Sequence, residues 1–257
     1  MQVDNQRELV ARQRLLNYLT QIGQKDPERN ANQLLNLESG MRDRFLYLKP
    51  FLDQQTLDSV LVSGCSVGTE MLLAREYGFK RIHGTEIEMC LASIAAFRFE
   101  PHNDCCVLLY DGLRLPYEDG GMNVVISGHI IEHTALPFHY LKEHLRVLAT
   151  GGILFIVFPN RYHLVELHTG LPSFEFLPLP IRNAGLRIIG TRVSPFRQEA
   201  KQNYRAILGT LQPISRWQII RFTKMLRPEL GPIEIVHSYF PRPGYVRMVL
   251  KRKSGVS

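Results

Sequence analysis

The segment Val60-Leu61-Val62-Ser63-Gly64-Cys65-Ser66-Val67-Gly68-Thr69-Glu70 passes from an apolar run through a glycine turn into a helix start. Glycines at such a turn let the backbone approach a ligand, and the N–H groups of a helix N-terminus favour anionic groups. Glu86 follows at the end of the next apolar run, about twenty positions on, where a carboxylate can hold both hydroxyls of a ribose. The bland alternative makes it a solvated strand-end residue. Asp111, in Leu108-Leu109-Tyr110-Asp111-Gly112, can accept a bond from an adenine amino group while nearby N–H groups read a ring nitrogen. His129 comes directly after a further strand-like run, and an imidazole there suits proton removal near neutrality or simple shaping of a pocket. Beyond Pro159, a short span holds Arg161, His163, Glu166 and His168, a composition suited to acceptor binding or base catalysis and equally to an exposed polar loop.

Two of these stretches match other chemistries. Gly64-Cys65-Ser66-Val67-Gly68 spells the G-x-S-x-G nucleophile elbow of α/β-hydrolases. That elbow normally follows several strands and an oxyanion loop, whereas only helix-like sequence precedes it here. His129-Ile130-Ile131-Glu132-His133 matches the H-x-x-E-H pattern of inverted zinc proteases. Zinc would need a third ligand converging on the same face, and the motif follows a strand and a Ser-Gly, so no metal is expected. Glu132 and His133 are expected to cap and brace the following helix.

These residues need a scaffold, and the apolar pattern supplies one. Helical spacing of Leu9, Val10, Leu15, Leu16 and Leu19, with Asp4 as a cap and Gly23 as a stop, predicts an N-terminal helix. A second helix is expected over 34–48, ending before Pro50. Strands are then expected at 59–63, 81–85, 106–110, 123–127 and 153–158, with helices at 69–77, 89–99 and 138–148. Such alternation is the mark of βα units on a parallel sheet. The alternation lapses after Pro159 and resumes as two strand-like runs, 233–239 and 245–251, around Pro241-Arg242-Pro243-Gly244, which read as a hairpin closing the sheet edge. The resulting fold class is α/β, a Rossmann-like doubly wound sheet, mostly parallel with an antiparallel last strand, plus N-terminal helices and an inserted lid. The divisions expected are 1–52 for the helical segment, 53–160 plus 232–253 for the core, and 161–231 for the insertion.

With 257 residues, 45% of them hydrophobic, the chain can bury a sizeable core, and collagen-like or largely disordered classes are excluded. Its four cysteines (Cys65, Cys90, Cys105, Cys106) have no CxxC spacing and fit reduced thiols, hence a cytoplasmic protein. Residues 1–24 are polar and Arg-studded, unlike the apolar centre of a secretory leader, and the longest apolar run is too short to span a bilayer. The net charge of +7 is unevenly spread: residues 1–180 carry 16 Lys or Arg against 21 Asp or Glu (−5), and residues 181–257 carry 15 against 3 (+12). The basic end, including Arg216, Arg221 and Lys224, is expected to meet an anionic acceptor or surface, such as a phosphate, carboxylate or acidic lipid, the last by peripheral membrane contact. Trp217 lies in an amphipathic, basic helix candidate around Ile214 to Phe222; there it would line an acceptor pocket or lie on a membrane surface, and a core-facing tryptophan is the commoner arrangement.

Taken in order, the glycine turn, Glu86, Asp111, the stretch from Leu115 to His133 and Arg146-Val147-Leu148-Ala149-Thr150-Gly151-Gly152 resemble a class I S-adenosylmethionine (SAM)-dependent methyltransferase of the small-molecule type. The resemblance covers about Asp58 to Arg161. It implies SAM as cofactor, with Ser63, Gly64, Cys65, Ser66 and Gly68 on the methionine side, Glu86 and Ile87 at the ribose, and Asp111, Gly112 and Leu113 at the adenine. Ser127, Gly128 and His129 would then face the sulfonium. Many relatives have an acid at Ser63, a glycine at Ser66 and an Asp at Asn123; Ser63 removes a carboxylate that helps hold the SAM ammonium, which Glu70 would have to replace. The activity implied is methyl transfer to an O or N atom of a small or medium acceptor, such as a natural product, sugar or lipid-linked intermediate. An RNA acceptor has no appended RNA-binding module or aromatic-basic pattern to support it, so a nucleic-acid partner is not expected. A partner protein that keeps the fold without turnover is the remaining alternative.

Overall fold

The computed structural model describes residues 5–37, 41–162, 214–239 and 245–254. At its centre are seven strands in the order β3-β2-β1-β4-β5-β7-β6. They are β1 Ser59–Ser63, β2 Arg81–Glu86, β3 Cys105–Leu109, β4 Met122–Gly128, β5 Leu148–Pro159, β6 Ile233–Tyr239 and β7 Tyr245–Arg252. Strands β1 to β5 pair in parallel, and β7 runs antiparallel between β5 and β6. The expected antiparallel pair at the edge is therefore present; its connection, 240–244, lies outside the described residues.

The central strands are apolar on both faces, as parallel strands covered on both sides must be. All five residues of β1 are buried. One face packs Leu61, Val125, Leu154 and Ile156 under α6 (Pro137–Arg146) and α7 (Arg216–Leu230). The other packs Val60, Val62, Ile126 and Phe155 under α3 (Met41–Leu48), α4 (Thr69–Glu76) and α5 (Met89–Phe99). The N-terminal helices α1 (Asn5–Gln21) and α2 (Pro27–Leu35) form a smaller cluster in which Ala11, Leu15 and Ala31 meet Val67 and Ile94.

Two expectations about helices change. The single helix expected over 34–48 is two, α2 ending at Leu35 and α3 starting at Met41. Pro27 opens α2 with Asp26 accepting a bond from the Arg29 N–H at 3.0 Å, a start signal that lay upstream of the expected boundary. Trp217 is not core-facing: it is 65% exposed, and α7 buries Ile219, Thr223, Leu226 and Leu230 instead. Among the described residues no helix is long and apolar enough to cross a membrane. Asp4, the proposed cap of α1, lies outside the described residues.

Candidate functional site

Register fixes where the chemistry gathers. Ser63 of β1 pairs with Thr85 of β2 and Ser127 of β4, and Glu86 pairs with Leu109 of β3. The carboxyl ends of four strands thus form one rim. Because the chain leaves β1 toward β2 on one side and β4 lies on the other, the order reverses at β1, and in open α/β sheets a ligand crevice lies at that point.

The glycine turn sits on this rim. Gly64 has φ +71° and a side chain there would run into Ile130; Gly68 has φ +82° and would meet the Phe99 ring. Both positions demand a backbone that other residues adopt with difficulty. Ser66 also lies in the left-handed region, at φ +50°, and its Oγ is buried without a hydrogen-bond partner among the described residues. Its N–H donates to Glu86 Oε2 at 2.8 Å. The same carboxylate accepts from the Ile87 N–H at 2.8 Å and the Glu88 N–H at 3.1 Å. Glu86 is buried, so it is not the solvated strand-end residue of the bland alternative.

Three side chains that the sequence did not single out hold this arrangement. Arg98 of α5, almost fully buried, donates to the Val67 carbonyl at 2.5 Å and to Thr69 Oγ1 at 3.1 Å, and pairs with Glu8 of α1 at 2.9 Å. Its signal was a lone charge inside the apolar run of α5. Tyr18 of α1 stands near Glu86 and Glu88; partial burial and then their charges push its phenol up. Arg44 of α3 reaches Gly128 and pairs with the buried Glu70 at 3.2 Å. Glu70 is thus held in an ion pair with Arg44.

Beyond β3, Asp111 is exposed and folds back on its own turn, accepting from the Leu113 and Arg114 N–H groups at 2.8 and 3.0 Å. Those bonds hold its carboxyl below the usual range. Ile87 and Leu113 are exposed apolar side chains flanking that turn.

Under the rim lies a closed polar network. Ser63 Oγ meets the Tyr140 hydroxyl at 3.3 Å and His144 Nε2 at 2.8 Å; Ser127 Oγ meets Tyr140 at 2.8 Å. His144 Nδ1 is 2.7 Å from the Tyr140 carbonyl. Ser63 is therefore a structural hub linking β1 to α6. Burial drives the His144 imidazole down to about 4. Its folded value lies below the unfolded one, so its contribution is present above pH 6.5 and is lost as pH falls toward 4. Denaturant titrations should show about 2–3 kcal/mol of stability lost across that window. The loss attributable to this residue should be missing in His144→Gln.

The loop after β4 departs from the sequence reading. His129 has φ +61°, its N–H donates to the Val157 carbonyl at 2.8 Å, and its ring stands edge-on to Tyr245 at 5.1 Å. Glu132 lies in a single 3-10 turn, Ile131–His133, and is not the cap of α6, which starts at Pro137 after Leu136 without a side-chain cap. His163, Glu166 and His168 lie outside the described residues, and among those described no cluster of three ligand-type side chains is suited to a metal.

Residues 61–156 match the family described as methyltransferase domain. The chain is 27% identical over 175 residues to ajmaline N-methyltransferase of Rauvolfia serpentina, a match covering 66% of this chain and 56% of that protein. Its fold is similar to a SAM-dependent methyltransferase from Mesorhizobium loti (TM-score 0.59, 12% identity, covering 84% of this chain and 100% of the other). It is also similar to geranyl diphosphate C-methyltransferase from Streptomyces coelicolor, solved with Mg2+, geranyl diphosphate and S-adenosyl-L-homocysteine (TM-score 0.57, 14% identity, 82% and 79% covered). The glycine turn and its acid lie inside the matched segment, and the sheet order is built around them: residues 61–156 form a methyltransferase domain, on the fold of the solved SAM-dependent methyltransferases.

Proposed function

We propose that the chain transfers a methyl group from SAM to an oxygen or nitrogen atom of a small or medium acceptor bearing anionic character. The observation that carries this reading is the Glu86 carboxylate, buried on the rim and bound to the Ser66 N–H, which joins the ribose acid to the glycine turn in one unit. The cradle fits the cofactor. Two left-handed glycines packed against Ile130 and Phe99 fix the shape of the turn, and between them the orphaned Ser66 Oγ has a hydrogen bond to give. Ser63, Gly64, Cys65, Ser66 and Gly68 would hold the methionine end, Glu86 and Ile87 the ribose, Asp111, Gly112 and Leu113 the adenine, and Ser127 and Gly128 the space before the sulfonium.

When bound, SAM supplies an electrophilic methyl group. The chain's part is alignment and exclusion of water, which account for most of the rate in an in-line displacement. His129 would take the acceptor's proton where the acceptor is a hydroxyl or a protonated amine. Residues 161–231 would form the lid that selects the acceptor. The ajmaline enzyme is named for transfer to nitrogen, and the Streptomyces protein holds a diphosphate. Anionic character is supported by α7: its N-terminus adjoins the end of β5 through the Arg161 N–H to Ile214 carbonyl bond, and Trp217, Arg221, Lys224 and Met225 are exposed along it.

Calorimetry with SAM, followed by a mass-shift screen against anionic and neutral amines, phenols and sugars, tests the reading. Saturable SAM binding and a gain of one methyl mass on an acceptor are expected. No heat at millimolar SAM would overturn it.

A further inference from the structure

Glu132 is the most unusual side chain near the rim. It is 2% exposed, and neither carboxylate oxygen has a hydrogen-bond partner among the described residues. A buried carboxylate without donors is strongly unfavourable, and such groups in native proteins call for an explanation. The group facing it is the His129 ring: Nδ1 lies 3.6 Å from Glu132 Oε1. The residue is itself fixed at its backbone, and its ring has a second neighbour. Its backbone is in the left-handed region, its N–H is tied to the Val157 carbonyl of β5, and Tyr245 of β7 meets it edge-on. The other groups nearby are already engaged. Arg44 of α3 pairs with Glu70 of α4, and the Tyr140 hydroxyl of α6, close enough to feel Glu132's charge, bonds Ser127 and Ser63.

We infer that Glu132 is a positioning residue for His129: it holds the imidazole proton on Nδ1 and so leaves the Nε2 lone pair to take the acceptor's proton. This deepens the methyltransferase reading and rests on it for its chemical role. A spacing of 3.6 Å is just beyond a hydrogen bond, but at that distance the carboxylate's charge still favours an N–H over a lone pair on the ring nitrogen that faces it, with no ligand needed. The proton count closes. The acceptor's O–H or N–H bond breaks as its bond to the methyl carbon forms, the methyl–sulfur bond breaks with its electron pair staying on sulfur, and the proton passes to Nε2. The ring is then positive, with Nδ1–H facing the Glu132 carboxylate, until the proton leaves to solvent. The orienting of one ring nitrogen by a carboxylate so that the other can work is the logic of histidine-carboxylate pairs generally.

The ring tautomer reads this directly. In the full-length chain at pH 8, without ligand, 15N–1H long-range NMR should show His129, assigned by its disappearance in His129→Asn, with the proton on Nδ1. In Glu132→Leu it should revert to the Nε2–H form that a free histidine side chain prefers, whereas Glu132→Gln, whose amide oxygen still accepts, should keep the Nδ1–H form. With an acceptor in hand, kcat should fall about tenfold in Glu132→Leu and recover substantially in Glu132→Gln, with the SAM dissociation constant changed less than twofold. An Nε2–H ring in the unmutated chain overturns the inference even if Glu132→Leu does not fold, and so does a tautomer unchanged in that variant. Because the tautomer is measured without cofactor, failure to bind SAM would instead count against the methyltransferase reading.

Discussion

Glu86→Ala is expected to weaken SAM binding by about two orders of magnitude in calorimetry. A hydrogen bond to a charged group contributes about 1.5–3 kcal/mol, and on the proposed reading a ribose diol would make two of them to this carboxylate. The effect should exceed simple contact loss, because the same carboxylate accepts the Ser66, Ile87 and Glu88 N–H groups and so keeps the glycine turn in its binding shape. Glu86→Gln separates the two roles: its amide oxygen can still accept a backbone N–H, so the fold should survive while affinity falls by about tenfold. A dissociation constant for Glu86→Ala within threefold of the unmutated chain would show that the ribose is held elsewhere.

Arg146→Met is expected to destabilise the protein by about 3–5 kcal/mol in denaturant titrations, the range for breaking one half of a buried ion pair. Arg146 ends α6 and is buried. Its Nε and Nη2 donate to both oxygens of Glu143 at 2.9 and 2.7 Å, and Nη1 donates to the Tyr117 carbonyl and to Asp119. Nη2 also reaches the Leu115 carbonyl at 3.0 Å, and Glu143 accepts the Leu115 N–H at 3.1 Å. One guanidinium thus fastens residues 115–119 of the connection from β3 to β4. Burial pushes the Glu143 carboxyl up, but Arg146 and the Leu115 N–H outweigh it and hold the group below its ordinary value. A depressed folded value means that this contribution is present above the unfolded carboxylate range and disappears as pH falls through the folded value. In Arg146→Met only the Leu115 N–H and the nearby His139 are left to oppose burial, so Glu143 will take up a proton more readily, and the deficit of the variant should shrink toward pH 4. Adding Glu143→Leu should restore much of the loss at pH 7, because the unpaired charge is then removed.

The sheet was legible because its signals are local. Strands β1 and β6 and helix α5 have the boundaries that their apolar runs and flanking glycines or prolines mark. Glu86 was legible for the same reason, as an acid at a fixed distance from a glycine turn. The break between α2 and α3 was not: residues 34–48 keep helical spacing throughout, and the division shows only in three dimensions, where Leu34 offers its carbonyl to Thr69 and Phe45 packs against the sheet. Tyr140 and His144 sit one helical turn apart like any core pair, and nothing in their spacing announces that they fill the space beside Ser63. Glu132 was misread because an acid before a helix usually caps it. Its position one turn too early, with Pro137 supplying the real start, was visible in hindsight only through the structure.

The ion pair between Arg98 and Glu8 has a consequence for how tightly any ligand is held. Arg98 grips the glycine turn with one nitrogen and the first helix with another, so the binding shape of the turn is expected to depend on whether the first helix is docked. The apparent dissociation constant then equals the intrinsic one divided by the docked fraction, and a chain with a frayed first helix binds more weakly although that ion pair touches no ligand atom. Reciprocity runs the other way as well: a ligand seated on the turn draws α1 down onto α5, so occupancy of the crevice and order at the far end of the chain rise together.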